Sequence, residues 1–486
     1  MTFALLLAGC KKEFTNNSIL VNSIKTKYGF PNQSFNWETQ TLMMQGVAAG
    51  PLNPSLPWSS QSGSYINANI ISDYKSNDGW VLVYNTFNPS YYTANAANGG
   101  LYFALYNKYR GLLRYYLYVP AGQFGGGVNI QHGLSIYTGT GLTTTMLNFD
   151  GTDIVDPSAA NLSFTKTNNI GIAQQGGWYD MQYEIAYDHT FSSAVFPNLG
   201  IAWNSRTITI SDIKINGTET GTETGSITQQ GNNGLGSVII NGVAAAAEIW
   251  GISDAGIAGS QLQNAAAGGL AGNLTGFFSG IFGGNSNNTQ EVDLKMNSTI
   301  SLTGTISTPN SLAPNTFVFP GESIAAGNGS FPPLYTPLLG VFNLNGRPIV
   351  NVHTTTSTVL VNDGGVLTPE TQYLNVYTVN TSNFNSLFTV NPAVTNSASI
   401  SNLKTQVILL NPSTIYGFQP NGNRETIGNY IAYTSYSALS TTYTKEHGPQ
   451  PVNSLAAVRV SFDVVPTNGA PKSTIVKTFF ANIVNI

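Results

Sequence analysis

The chain has 486 residues, more than one hydrophobic core usually serves, so we expect two domains or one domain with large insertions. Only 9% of the residues are charged whereas 11% are aromatic, a composition that excludes a disordered chain. The net charge of -4 and the scattered Lys and Arg residues leave no basic face for nucleic acid and no polybasic patch for anionic lipid.

Cys10 is the sole cysteine, which excludes an intrachain disulfide or a thiolate metal cluster. It follows an apolar run at residues 3–7 and the small residues Ala8 and Gly9. Such a run is typical of a signal-peptide core with its cleavage site, and it is too short to span a bilayer. The segment Leu7-Ala8-Gly9-Cys10 resembles the bacterial lipobox, which implies cleavage before Cys10 and lipid on its sulfur. A buried apolar N-terminus with an incidental cysteine is the alternative.

The lipobox-like motif divides the N-terminal region into two parts. We expect residues 1–9 to be a signal peptide, whole or truncated at its N-terminus, and residues 10–60 to be a lipidated tether and leader. Pro51, Pro54 and Pro57 argue against a helix there. The leader is therefore expected to run over the surface.

An N-terminal β domain is predicted over residues 61–240. Aromatic and β-branched runs at 80–84 and 101–106 predict strands, and a turn before the run at 112–119 predicts a hairpin. Further strands are predicted at 134–137, 146–149, 181–187 and 207–215. Their short Gly-, Asn- and Ser-rich connections favour an antiparallel sandwich.

Residues 241–286 are predicted to be a Gly-zipper helical insertion, with one helix at 243–250. Glycines recur every four residues beside a bulky apolar face, as on one stripe of a helix. The candidate packing or partner segment comprises Gly268, Gly272, Gly276, Gly280, Phe277 and Phe278, and Gly284 continues the stripe. Interior glycines at these positions cost a helix about 5 kcal/mol relative to Ala unless close packing compensates. Three interpretations stay open: a helical hairpin buried between β domains, contact with a bilayer or a hydrophobic partner, and a flexible loop.

A C-terminal β domain is predicted over residues 287–486, because apolar and polar residues alternate with period two at 292–306. Further strands are predicted at 338–344, 349–352, 358–361, 373–379, 405–410, 456–465 and 475–483. Asn-Gly and Asp-Gly pairs mark hairpin turns. The predicted fold class is mainly β, with two antiparallel β-sandwich-like domains and a central Ala/Gly-rich helical segment.

The candidate ligand-binding residues are Trp178, Asp180, Glu184 and Asp188, which a strand would place on one face. A carboxylate row beside Trp is typical of a glycosidase pair or a calcium site. No cofactor is predicted unless calcium binds at this row. A solvated strand face over an aromatic core is the alternative. The histidines show no metal-ligand spacing, and no nucleophile elbow, P-loop or dinucleotide fingerprint stands out, so no catalytic residue is predicted.

Three short motifs carry a family resemblance. They are YNKYRGLLR at residues 106–114, the pair Gly79-Trp80 upstream, and LLGVFNL at residues 338–344. Together they resemble a group of uncharacterised surface lipoproteins from Bacteroidota. The resemblance implies lipidation and an outer-membrane address, and it supplies no catalytic residues.

These observations predict a non-enzymatic cell-surface lipoprotein that is an accessory or structural subunit of an outer-membrane assembly. Its partners would be the lipid anchor and a membrane or surface protein, with no nucleic acid. A glycan-binding lipoprotein beside a nutrient transporter is the alternative hypothesis. A glycoside hydrolase using carboxylates near Asp180 is the third.

Overall fold

A computed structural model describes the chain in the ranges 34–43, 54–59, 65–66, 68–85, 87, 101–122, 129–137, 144–150, 153–159, 168–171, 176–191, 200–217, 290–296, 300–307, 311–318, 334–412, 419–444 and 455–486. Cys10, the predicted helix at 243–250 and the glycine stripe at 268–284 lie outside the described residues. Within them the protein is mainly β with several antiparallel sheets, which confirms the mainly β, antiparallel part of the predicted fold class.

The strands of the described residues are, in chain order, β1 (Trp80–Asn85), β2 (Leu101–Asn107), β3 (Leu112–Val119), β4 (Asn129–Tyr137), β5 (Asn168–Gly171), β6 (Gly177–Glu184), β7 (Gly200–Gly217), β8 (Gln290–Met296), β9 (Ile300–Ser307), β10 (Ser311–Val318), β11 (Phe342–Leu344), β12 (Ile349–Asp363), β13 (Val366–Val379), β14 (Phe388–Val390), β15 (Ala398–Leu410), β16 (Gln419–Pro420), β17 (Asn423–Ile427), β18 (Tyr430–Ser435), β19 (Leu439–Thr444), β20 (Ala456–Pro466) and β21 (Ser473–Asn485). The helices are α1 (Ala68–Ile71), α2 (Thr381–Leu387) and α3 (Pro392–Thr395), with a 3-10 turn at Ser76–Asp78.

The first sheet is antiparallel, has the order β1-β2-β3-β6, and is called the aromatic sheet below. The predicted hairpin is confirmed, since β2 and β3 pair from Leu101 opposite Tyr118 to Asn107 opposite Leu112. Its turn is fixed by the Asn107 side chain, whose Oδ1 accepts the backbone N–H groups of Tyr109 and Arg110, and by Gly111 with a φ of 70°. Only glycine adopts such a φ at little cost.

The second sheet has the order β5-β4-β7-β9-β8, with β10 also paired to β7. The long strand β7 pairs with β4 and β10 along its first half and with β9 along its second half. Strands on both sides of residue 287, the predicted start of a separate C-terminal domain, therefore share one sheet.

The aromatic sheet and the second sheet pack face to face, as in a β-sandwich. Trp203 of β7 lies between Tyr102 and Tyr115, with ring centroids 4.7 Å from each. Leu134 of β4 is buried in the same core. Large aromatic side chains thus fill the space between the two sheets.

The opposite face of the aromatic sheet is covered by the described residues between 34 and 78, called the covering segment below. Leu56 is fully buried there, and Trp58 stacks on Tyr74 with the ring centroids 4.0 Å apart. The expectation that the leader runs over the surface holds only in part, since the described residues 34–42 are exposed or half-buried whereas Met43 and Leu56 are buried. The apolar side chains of the covering segment cover Phe103 and Tyr116, which strand alternation directs to this face.

The third sheet has nine strands in the order β16-β19-β13-β12-β21-β20-β15-β18-β17. All neighbours are antiparallel except β12 and β21, which pair in parallel from Ile349 opposite Asn482 to Val352 opposite Asn485. A separate two-stranded ladder joins β11 to β14. A buried core lies between this sheet and residues such as Phe342 and Phe149.

The predicted strand at 146–149 is wrong, and the predicted strand at 338–344 is wrong in part. Residues 146–149 form turns, because Met146 and Leu147 pack in the sandwich core whereas Phe149 packs in the core of the nine-stranded sheet. A strand, which alternates strictly, cannot serve both cores in that order. The predicted strand at 338–344 begins only at Phe342.

Gly340 explains the late start of that strand. Its φ is 88°, and a Cβ there would lie 2.3 Å from the backbone N of Tyr187. The close approach lets the backbone of residues 338–341 cross the end of the aromatic sheet, where the Gly340 N–H donates to the Tyr106 hydroxyl at 2.8 Å.

Candidate functional site

The predicted ligand-binding row lies along β6 and just beyond it. Alternation is confirmed within the strand, since Tyr179, Met181 and Tyr183 enter the sandwich core while Trp178 packs on the opposite face. Trp178 is only 4% exposed, and its indole N–H donates to the Ser55 carbonyl at 2.7 Å. Its ring therefore packs beneath the segment that covers this face and does not line an open surface.

Asp180 lies opposite Tyr116 in the β3–β6 ladder and is half-buried. Burial raises the pKa of the Asp180 carboxyl, and the charge of Arg114 offsets part of that rise. The carboxyl thus borders a polar cluster that the sequence did not single out.

The centre of that cluster is Arg114, which is 2% exposed. Its Nε and Nη2 donate to the Gln182 side-chain oxygen at 3.0 and 2.6 Å. Its Nη1 donates to the Asp73 carbonyl at 2.7 Å and to the Tyr116 hydroxyl at 3.0 Å, and its Nη2 reaches the Asp73 carboxylate at 3.1 Å. The guanidinium also lies 4.2 Å from the Trp80 ring centroid. These contacts stabilise the buried charge and hold the covering segment on the sheet.

Asp73 connects Arg114 to the protein surface. Its Oδ1 accepts from Arg110 Nη2 at 2.6 Å and from the Trp80 indole N–H at 2.9 Å. Burial alone raises the pKa of Asp73, but hydrogen bonds from Arg110 and Trp80 and the charges of both arginines lower it overall. Asp73 is thus a carboxylate held in its charged form by two arginines.

Glu184 forms a different contact, between two sheets. Its Oε2 lies 2.6 Å from Lys477 Nζ of β21, which also donates to the Phe149 carbonyl at 3.1 Å. The ammonium lies 5.2 Å from the Phe149 ring centroid. Glu184 therefore joins the aromatic sheet to the nine-stranded sheet.

Asp188 lies beyond the end of β6 and is buried. Its Oδ2 accepts from the Thr144 hydroxyl at 2.8 Å, and its Oδ1 accepts from the Thr190 hydroxyl at 2.6 Å and the Thr190 N–H at 3.0 Å. This carboxylate fixes two loops against each other. The prediction that Asp188 shares a strand face with Asp180 and Glu184 is wrong, because the strand ends at Glu184.

The three carboxylates consequently have three separate environments. Asp180 and Glu184 are four residues apart on β6, a Cα separation of about 13 Å, and Glu184 is engaged by Lys477 of another sheet. Glu184 and Asp188 are engaged by Lys477 and by threonines. Within the described ranges, no group of three His, Cys, Asp or Glu side chains is placed to hold a metal ion.

One histidine lies inside the sandwich. The Nδ1 atom of His132 is 2.5 Å from the Tyr183 hydroxyl, and both residues are buried. His353 lies on the exposed part of β12, and His189 is exposed in a loop. The three described histidines therefore occupy separate places, as isolated histidines usually do.

A surface that the sequence reasoning missed is the distal part of the β12–β13 hairpin, residues 353–372, which we call the hairpin arm. The strands pair as far as Asp363 opposite Val366. Leu360, Val366 and Leu367 of the arm are 66%, 63% and 62% exposed. The uncharged run TTTSTVLV at residues 354–361 could have indicated this long strand, whereas the local patterns predict strands only at 349–352 and 358–361.

No family model matches the chain, and no curated protein is significantly similar to it. Among the described residues, no helix has the length and apolar character needed to cross a membrane.

Proposed function

We propose that this chain is a non-enzymatic lipoprotein of the outer membrane and cell surface, anchored by lipid on Cys10. It would act as an accessory or structural subunit of an outer-membrane protein assembly. The observation that carries the proposal is the position of the sole cysteine, directly after the apolar run and the small residues Ala8 and Gly9. The sulfur there has no other cysteine to pair with, and the preceding segment has the composition of a signal-peptide core.

The contacts within the body support a structural role. The Lys477–Glu184 ion pair, at 2.6 Å, joins the nine-stranded sheet to the aromatic sheet. The Arg347–Asp156 ion pair, at 2.5 Å, joins the connection before β12 to a loop at residues 153–159. The buried cluster around Arg114 has its guanidinium nitrogens engaged by the chain itself. Charged groups that hold sheets together suit a scaffold that presents a surface to a partner.

The anchor is tested by metabolic labelling with a radioactive fatty acid and by membrane fractionation. Wild-type protein should carry label and sediment with membranes, whereas Cys10→Ser should lose both properties. Lys12→Ser is the matched control, because it changes the adjacent segment and leaves the acceptor sulfur in place. A Cys10→Ser protein that stays labelled and membrane-bound would contradict the proposal.

The assembly role is tested separately by purifying the lipidated protein from native membranes in mild detergent. A stoichiometric partner should be recovered, identified by mass spectrometry. Protease treatment of intact cells distinguishes surface display from an inward-facing anchor. A protein recovered alone under conditions that preserve other membrane complexes would count against a structural subunit.

A further inference from the structure

We draw no further inference here: the strongest candidate, the exposed apolar patch that Leu360, Val366 and Leu367 form at the end of the hairpin arm, carries nothing because nothing among the described residues shows what covers it.

Discussion

The aromatic sheet and the hairpin arm are both regular antiparallel β structure, yet their environments are opposite. Six of the eight residues of β3 are buried, in the strand LLRYYLYV. By contrast, the side chains at 353–358 of β12, which include Thr354 and Thr356, are exposed on both faces. The aromatic sheet is enclosed between the second sheet and the described residues of the segment 34–78, whereas the hairpin arm is exposed to solvent.

The difference follows from the size and polarity of the side chains. An aromatic side chain buries a large apolar area, so a strand rich in Tyr and Trp is stable only when other elements cover both faces. Threonine fits a pleated surface but gains little from burial, so a threonine-rich ribbon can remain exposed. Strand propensity is similar in the two regions, whereas the free energy gained by covering them is not.

The largest expected effect is on the enclosed region. Trp203→Ala should lower the free energy of unfolding by about 3–5 kcal/mol, because it removes the ring that lies between Tyr102 and Tyr115 and leaves a cavity. Leu360→Ala in the arm is the control and should change it by less than about 0.5 kcal/mol, since Leu360 is 66% exposed. Urea denaturation followed by circular dichroism measures both, and equal losses would refute the distinction between the two regions.

A smaller loss of stability is expected from changing the arginines that bind Asp73 of the segment covering the aromatic sheet. Arg114→Ala should cost about 3 kcal/mol, because it takes the buried guanidinium away from the Asp73 carboxylate and from the Gln182 side-chain oxygen. Arg110→Ala should cost less than about 1 kcal/mol, since Arg110 is 30% exposed and binds the same carboxylate at the surface. Similar losses from the two variants, measured by the same urea denaturation, would mean that burial does not determine the strength of these ion pairs.

Much of the fold could be predicted from local patterns. The alternating aromatic runs that became β1, β2 and β3 were recognised, and so was the turn that Gly111 completes. The runs at 146–149 and 338–341 were misassigned because their residues serve two cores, which is a tertiary property that no local period reveals. The predicted domain boundary at residue 287 separates strands that share a sheet. Local patterns could not show this, because the pairing of β9 with β7 joins residues that are distant in sequence.

The candidate site was less predictable. Strand alternation placed Trp178, Asp180 and Glu184 on one face correctly, but it could not reveal that Lys477 would meet Glu184 from another sheet. Arg114 was overlooked although a lone arginine within an apolar strand signals a buried, paired charge.

The smallest predicted effect is a pH dependence confined to the enclosed region. The pKa of Asp73 is lower in the folded protein than its ordinary value, so its contribution to stability is present above about pH 4 and is lost as the pH falls through the folded pKa. Asp73→Asn should therefore be less stable than wild type by about 1 kcal/mol at neutral pH, and the difference should shrink toward zero in acid. Asp78→Asn, a change in the same segment but outside the described ion pairs, is the matched control for urea titrations at each pH. Hydrogen exchange should show the acid-induced loosening in residues 65–78 and not in the arm; a constant difference between wild type and Asp73→Asn across this range would mean that the arginines do not hold this carboxylate in its charged form.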